Sequence, residues 1–138
     1  MSDIVGTVYA GLISKLKADV TLCNYVGGTL SPRIYNKDVP DAPTYPYVEM
    51  NLQADGPMNV NPTSLIDYVF FIRVWTKAND ASARTIFALV DADLDNTVVA
   101  VSGSNSLWCR KETDMDRMEG LENNRLFMRG ALFRITIN

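Results

Sequence analysis

Residues 65–75, LIDYVFFIRVW, form the stretch that decides the fold. Every second residue from Ile66 to Val74 is apolar, which is the period of a β-strand with one face in a core. The opposite face is too apolar for plain solvent and too charged for a deep core. Two interpretations follow: a helix of the same domain covers this face, or another subunit buries it. That face carries Leu65, Asp67, Val69, Phe71, Arg73 and Trp75.

The segment before this strand is predicted to be a second strand followed by a long loop. Residues 47–53 alternate, with Val48, Met50 and Leu52 on one face. Residues 54–64, ADGPMNVNPTS, are rich in turn formers and longer than a usual hairpin connection. We expect this loop either to contact a partner or to be merely mobile.

Further extended pieces are predicted around residues 33–35, 98–101 and 108–113. The closing strand, 126–137, has apolar residues at even positions up to Met128 and at odd positions from Ala131 onward. Because a strand cannot switch faces without an inserted residue, we predict a β-bulge near Arg129 and Gly130.

Helical periodicity appears in three places. Apolar residues spaced three and four apart predict a helix from the N-terminus to about Lys17. A short turn over 20–26 follows, capped by Asp19 and ended by two glycines. An alanine-rich helix capped by Asn79 or Asp80 then reaches to about Leu94. The order predicts one α+β domain over 1–138, with a mainly antiparallel sheet packed against two main helices.

Composition removes several classes of function. The chain has 138 residues, a net charge of −3 and no histidine. A negative net charge is poorly suited to gripping nucleic-acid phosphates, and the missing histidine excludes His-based triads and His-ligated zinc. Cys23 and Cys109 match no metal or redox motif, although a single disulfide stays open. With no basic leader and no apolar run near 20 residues, we expect a soluble protein of the cytoplasm, with no membrane partner.

No constellation identifies a reaction. Asp91, Asp93 and Asp95 have the spacing that begins a calcium-binding EF-hand loop, but the glycine and glutamate that complete the loop are missing. A mixed-charge stretch over 112–122 is predicted to be an exposed hairpin, with nothing to suggest paired catalytic carboxylates. We therefore predict no enzyme, no cofactor and no metal.

Several phrases together resemble a known family. They are YVGG at 25–28, PRIY at 32–35, APTYPYV at 42–48, RVW at 73–75 and RGALFRI at 129–135. In their order, with the helices around them, they resemble the tail-completion proteins of long-tailed bacteriophages, also called tail terminator or head-to-tail joining proteins. The resemblance covers nearly the whole chain, except 54–64 and 102–122.

The resemblance implies a structural virion protein without catalytic residues, assembled in the bacterial host cytoplasm. It implies a ring, usually a hexamer, at the head-proximal end of the tail, where it ends tube polymerisation and joins the tail to the head connector. The implied partners are other copies of itself, the major tail-tube protein and a head-completion protein, while double-stranded DNA passes through without specific binding. Three alternatives stay open: a head-closure or neck protein, a monomeric binding module, and a small carboxylate enzyme.

A closed ring needs two different patches that meet around its axis. The candidate patches are the face of the 65–75 strand that carries Phe71, Arg73 and Trp75, the 54–64 loop, and the charged hairpin over 112–122, called here the acidic hairpin. The candidate interface residues are Asp55, Met58, Asn59, Val60, Phe71, Arg73, Trp75, Glu112, Asp114, Asp116 and Arg117.

Overall fold

A computed structural model describes residues 4–57, 66–99, 101, 106–120 and 125–137, with the backbone alone at 4, 54–57, 66, 106 and 107. Over these residues the chain forms three helices and five strands of one sheet, which confirms the α+β prediction. The helices are α1 (Ile4–Lys17), α2 (Val20–Tyr25) and α3 (Asp80–Leu94). The strands are β1 (Ile34–Asn36), β2 (Tyr47–Pro57), β3 (Ile66–Thr76), β4 (Ser106–Glu119) and β5 (Leu126–Ile137).

The strands lie in the order β1-β2-β3-β5-β4. β1 runs parallel to β2, and the other neighbours are antiparallel. β3 and β5 lie at the centre and pair without interruption from Ile66↔Ile137 to Thr76↔Phe127. The strand that decided the fold in the sequence is therefore the middle of the sheet.

The helices α2 and α3 begin where their N-capping residues predict. The side chain of Asp19 accepts a hydrogen bond from the Leu22 N–H at 3.1 Å, and that of Asn79 accepts one from the Ser82 N–H at 2.7 Å. Each cap satisfies a donor that a helix N-terminus leaves without a partner. Gly27 and Gly28 follow α2 with φ of 113° and 96°, a region that favours glycine.

The main core lies between the helices and one face of the sheet, called here the helix-covered face. Tyr68, Phe70, Ile72 and Val74 of β3 are buried there, as their alternation predicts. Residues of α1, α2 and α3 pack on the same face. The largest fully buried side chains of this core are Phe70, Phe133, Leu12, Leu16, Leu22, Met50, Ile72, Ile86, Leu94 and Ile135.

The bulge predicted in the closing strand is wrong. β5 pairs regularly with β3 through Arg129 and Gly130, so its residues alternate without a switch of face. The apolar residues at even positions, Leu126 and Met128, lie on the other face of the sheet. Register shifts occur instead in β2, between Leu52 and Ala54, and twice in β4, between Ser106 and Trp108 and between Lys111 and Thr113. At the last of these Glu112 is the extra residue, and this shift is called here the bulge.

Three other boundaries differ from the sequence predictions. β2 continues to Pro57, since residues 54–57 pair with β3 instead of forming a loop. β4 extends to Glu119 although its second half is highly charged, which an edge strand tolerates. Of the strand predicted at 98–101, the structure shows only a bridge from neighbouring Thr97 to Cys109, with Val99 and Val101 buried.

Candidate functional site

The second face of the sheet is called here the helix-free face. It carries the odd-numbered residues of β3, such as Phe71, and the even-numbered residues of β5, such as Met128. Within the part of the chain that the structure describes, no helix packs on it. None of the three described helices covers this face, contrary to the interpretation that a helix of the same domain does so.

One end of the helix-free face is an apolar group, called here the second cluster. Tyr47, Trp75 and Met128 are its buried members, and Trp75 is only 8% exposed. Because Trp75 is already buried within its own chain, it offers little surface to a partner. The partly buried members are Tyr35, Val39, Tyr45, Phe71, Met115 and Leu126.

Glu49 holds the polar groups of this cluster in place. Its Oε1 accepts a hydrogen bond from Trp75 Nε1 at 2.8 Å and forms an ion pair with Arg73 Nε, also at 2.8 Å. The Arg73 guanidinium lies 4.5 Å from the centre of the Phe71 ring, a cation–π distance. Burial, and then the Glu49 charge, raise the pKa of Tyr47 to about 12, so this phenol stays neutral.

The other end of the helix-free face is a charged network of Asp67, Glu112, Arg134 and Thr136. Arg134 donates to both carboxylates, with 2.6 Å to Asp67 Oδ2, and Thr136 donates to Asp67 Oδ1 at 2.7 Å. The hydrogen bonds to Glu112 and then Asp67 raise the pKa of Arg134. The bulge places Glu112 in this network, because the extra residue brings its carboxylate over β5.

The candidate residues of β4 divide between the two faces. Arg117 lies opposite Met128 on the helix-free face, where Glu112 also contacts Arg134. Asp114 lies opposite Ala131 and Asp116 opposite Arg129, on the helix-covered side. The predicted acidic hairpin thus presents different residues on each side.

On the helix-covered side a lysine links β4 to α3. Lys111 Nζ lies 2.9 Å from Asp91 Oδ2 and 3.3 Å from Asp114 Oδ1, and the hydrogen bond to Asp91 raises its pKa. The Lys111 N–H donates to Asp95 Oδ1 at 2.8 Å. These contacts fix β4 against α3 where the bulge begins.

The remaining candidates are not placed with this face. Asp55 belongs to β2 and pairs with Tyr68, and only its backbone is described. The predicted contact residues Met58, Asn59 and Val60 lie outside the described residues. Their role stays a prediction.

The three aspartates at the end of α3 have separate partners. Asp91 and Asp95 bind Lys111, whereas Asp93 is hydrogen-bonded to Asp19. Burial, and then that hydrogen bond, raise the pKa of Asp93 to about 7. Among the described residues no group of three or more acidic or cysteine side chains could hold a metal ion.

Both cysteines are buried free thiols. Burial raises the pKa of Cys109 to about 12 and is also the main cause of the raised pKa of Cys23. The reactive thiolate is therefore disfavoured at both positions at neutral pH. A cysteine nucleophile has no support in this arrangement.

The sequence missed most of the second cluster. Tyr45, Tyr47, Met115, Leu126 and Met128 were not identified as members of one surface. The signal was present in the closing strand, where apolar residues change from even to odd positions. The even and the odd apolar positions belong to two opposite faces of the sheet. The predicted bulge assumed a single apolar face with an inserted residue.

Comparisons with known proteins agree with this architecture. The model of the family described as "Tail completion protein gp17" matches residues 10–135. No curated protein sequence matches. Among the helices that the structure describes, none is long and apolar enough to cross a membrane.

Two solved structures share the fold. One is a chain of the "Virion of native gene transfer agent (GTA) particle", 21% identical, with a TM-score of 0.72 and coverage of 99% of this chain and 98% of that one. Another is 13% identical, with a TM-score of 0.61 and coverage of 98% and 96%. Since the family model spans nearly the whole sequence, the chain belongs to the tail completion protein gp17 family and is a structural protein of a phage-like virion tail.

Proposed function

We propose that copies of this chain form a ring, a hexamer by its resemblance to tail terminators, at the head-proximal end of the tail tube. The ring ends tube polymerisation and joins the tail to the head connector. Its partners are then other copies of the chain, the major tail-tube protein and a head-completion protein. Membership of the tail completion family supports this proposal.

The observation that carries the proposal is the helix-free face. A sheet face of this size is normally covered by a further layer. Here Phe71, Met115 and Leu126 remain partly exposed beside ordered charges such as Arg73. Apolar and aromatic side chains with arginine among them are typical of surfaces that another protein buries.

The same face offers two unlike ends, as a ring requires. The second cluster is apolar, and the network around Arg134 is charged. A cyclic ring brings different patches of neighbouring subunits together, so a surface without internal symmetry suits it.

DNA passes through the lumen of the proposed ring without specific binding. The net charge of −3 supports this part, because a channel that gripped phosphates would slow the passage of DNA. An electrostatic map of the assembled ring tests it. A strongly basic lumen would contradict it.

The proposal predicts that Phe71→Asp prevents ring formation and tail completion. A new carboxylate in the interface would be buried without a partner, which is costly. The measurements are light scattering coupled to size exclusion for the ring, and electron microscopy of tail tubes mixed with the protein, where uncapped tubes grow too long.

Ala88→Asp is the matched control, because Ala88 is exposed on α3, on the other side of the sheet. Circular dichroism establishes that both variants are folded. Normal capping by a folded Phe71→Asp protein would refute a role for this face. Loss of capping by both variants would point to a different interface.

A further inference from the structure

We propose that subunits of the ring join by β-sheet extension: the outer edge of β4 pairs with the outer edge of β1 of the next copy. Residues 114–116 of one subunit then lie antiparallel to Ile34–Asn36 of its neighbour. This inference rests on the proposed ring and adds a contact between strand edges to the helix-free face, whose second cluster would continue from one subunit to the next.

The outer edge of β4 is open after its bulge. Before the bulge, Cys109 exchanges backbone hydrogen bonds with Thr97 at 2.7 and 3.2 Å, and the Lys111 N–H binds Asp95. These bonds point away from β5. The extra residue shifts the alternation, so the outward peptide groups become those of Asp114 and Asp116. Among the described residues, no strand pairs with this part of the edge.

The charges on this edge disfavour pairing with its own copy. In a two-fold pair centred on Asp116, the two Asp116 carboxylates would lie opposite each other. Like charges directly across two strands are destabilising, and charged edges of this kind prevent self-pairing. A less acidic strand is the better partner.

β1 is the other end of the sheet and has complementary free groups. The Arg33 carbonyl accepts from the Val48 N–H at 2.9 Å, so the alternation directs the peptide groups of Ile34 and Asn36 outward. Local turns use the Ile34 N–H and one lone pair of the Asn36 carbonyl. Within the described part of the chain, the Ile34 carbonyl and the Asn36 N–H have no partner, so they can bind the Asp116 N–H and the Asp114 carbonyl.

The two edges also lie at the same level of the sheet. Across the strands, Ile34 is in register with Val48, Val74, Arg129 and Asp116. A cyclic symmetry operation has no translation along its axis, so in a ring whose strands follow the axis, edges at equal levels meet. The strand directions make β4 antiparallel to the neighbouring β1.

The side chains at this junction are complementary. Tyr35 and Met115 occupy one row of the register and both belong to the second cluster, which would continue from one subunit to the next. Lys37 is exposed directly after β1, next to the position of the neighbouring Asp114. An opposite charge there favours the right register and partner.

Disulfide trapping tests the contact. The double variant Tyr35→Cys/Met115→Cys places thiols that meet only between subunits. On oxidation of protein assembled in solution or on tail tubes, we expect covalent oligomers up to the full ring on a non-reducing gel. Tyr35→Cys/Trp108→Cys is the matched control, because Trp108 lies about 20 Å further along β4. It should remain monomeric on the gel.

A ring that forms without covalent oligomers, or with equal amounts in the control, overturns this inference and leaves the proposed function standing. Absence of any ring overturns both. Should the double variant fail to fold, Asp116→Pro replaces it. Asp116→Pro removes an N–H that points away from β5, so no hydrogen bond within the sheet is lost. It should weaken assembly about tenfold or more, whereas the control Asp116→Asn should assemble normally. Equal assembly by both variants contradicts the inference.

Discussion

The side chains on the two faces of the sheet are held in place by different interactions. On the helix-covered face, Phe70 and Phe133 are fully buried beneath three described helices. On the helix-free face, Phe71 and Met115 remain partly exposed, and ion pairs hold the surface together. The helix-covered face is held by the packing of apolar side chains. The helix-free face combines an apolar cluster with ion-paired charged side chains.

The difference shows which face has apolar surface left to bury. Burial of apolar area supplies most of the free energy of folding, so the helix-covered face has little surface left to offer. The helix-free face has a fixed shape before any partner arrives. A preformed surface loses less conformational entropy when it binds.

The adjacent phenylalanines of β3 give the sharpest test of the comparison. Phe70→Ala should lower the free energy of unfolding by about 3–5 kcal/mol, because it leaves a cavity in the main core. Phe71→Ala should lower the free energy of unfolding by about 1 kcal/mol. The Phe71 ring is partly solvated, so the variant loses mainly its contact with Arg73. Urea unfolding of both variants measures the difference. Equal losses would mean that the two faces are equally buried.

Gly130 tests how closely the central strands pack on the helix-free face. A Cβ added there would lie 2.6 Å from the Ile72 carbonyl oxygen and 2.9 Å from Arg73 Cγ. Gly130→Ala should therefore lower the free energy of unfolding by about 1–3 kcal/mol. Gly28→Ala separates the two causes of a loss, because a Cβ there meets no atom within 4 Å and any cost comes only from its φ of 96°. Unchanged stability of the Gly130 variant in urea would show that the strands can separate without cost.

The smallest expected effect concerns Asp93, on the helix-covered side. The raised pKa of about 7 means that the folded state holds this proton more tightly than the unfolded state, whose pKa is near 3.8. Stability is then greatest below pH 3.8 with respect to this group and declines as the pH rises to about 7.

Asp93→Asn should remove that decline. Because the carboxyl is partly solvated beside Asp19 and Lys15, the gain at pH 8 is on the order of 1 kcal/mol, with little gain near pH 4. Unfolding curves at both pH values measure it, with exposed Asp38→Asn as the control. A gain that is the same at both pH values would contradict the raised pKa.

Much of the fold could be predicted from the sequence because the main core follows simple periods. The alternation of β3 and the caps at Asp19 and Asn79 gave elements that the structure confirms. The charged half of β4 could not be recognised, since an edge strand with Asp114 and Asp116 lacks an apolar face.

The site was predicted only in part for a related reason. Phe71, Arg73 and Trp75 do lie together, but the sequence could not show that Trp75 is covered by residues from three other segments, among them Tyr45 and Met128. Such contacts depend on the order of strands in space. The change of phase at Met128 would have shown them if two apolar faces had been considered.

The uninterrupted pairing of β3 with β5 has a mechanical consequence. Eleven successive residue pairs link these strands, from Ile66↔Ile137 to Thr76↔Phe127. A force along the strands loads all of these hydrogen bonds together in shear, whereas a force across them would open the pairs one after another. The centre of the sheet is therefore stiff along the direction of its strands and much weaker across them.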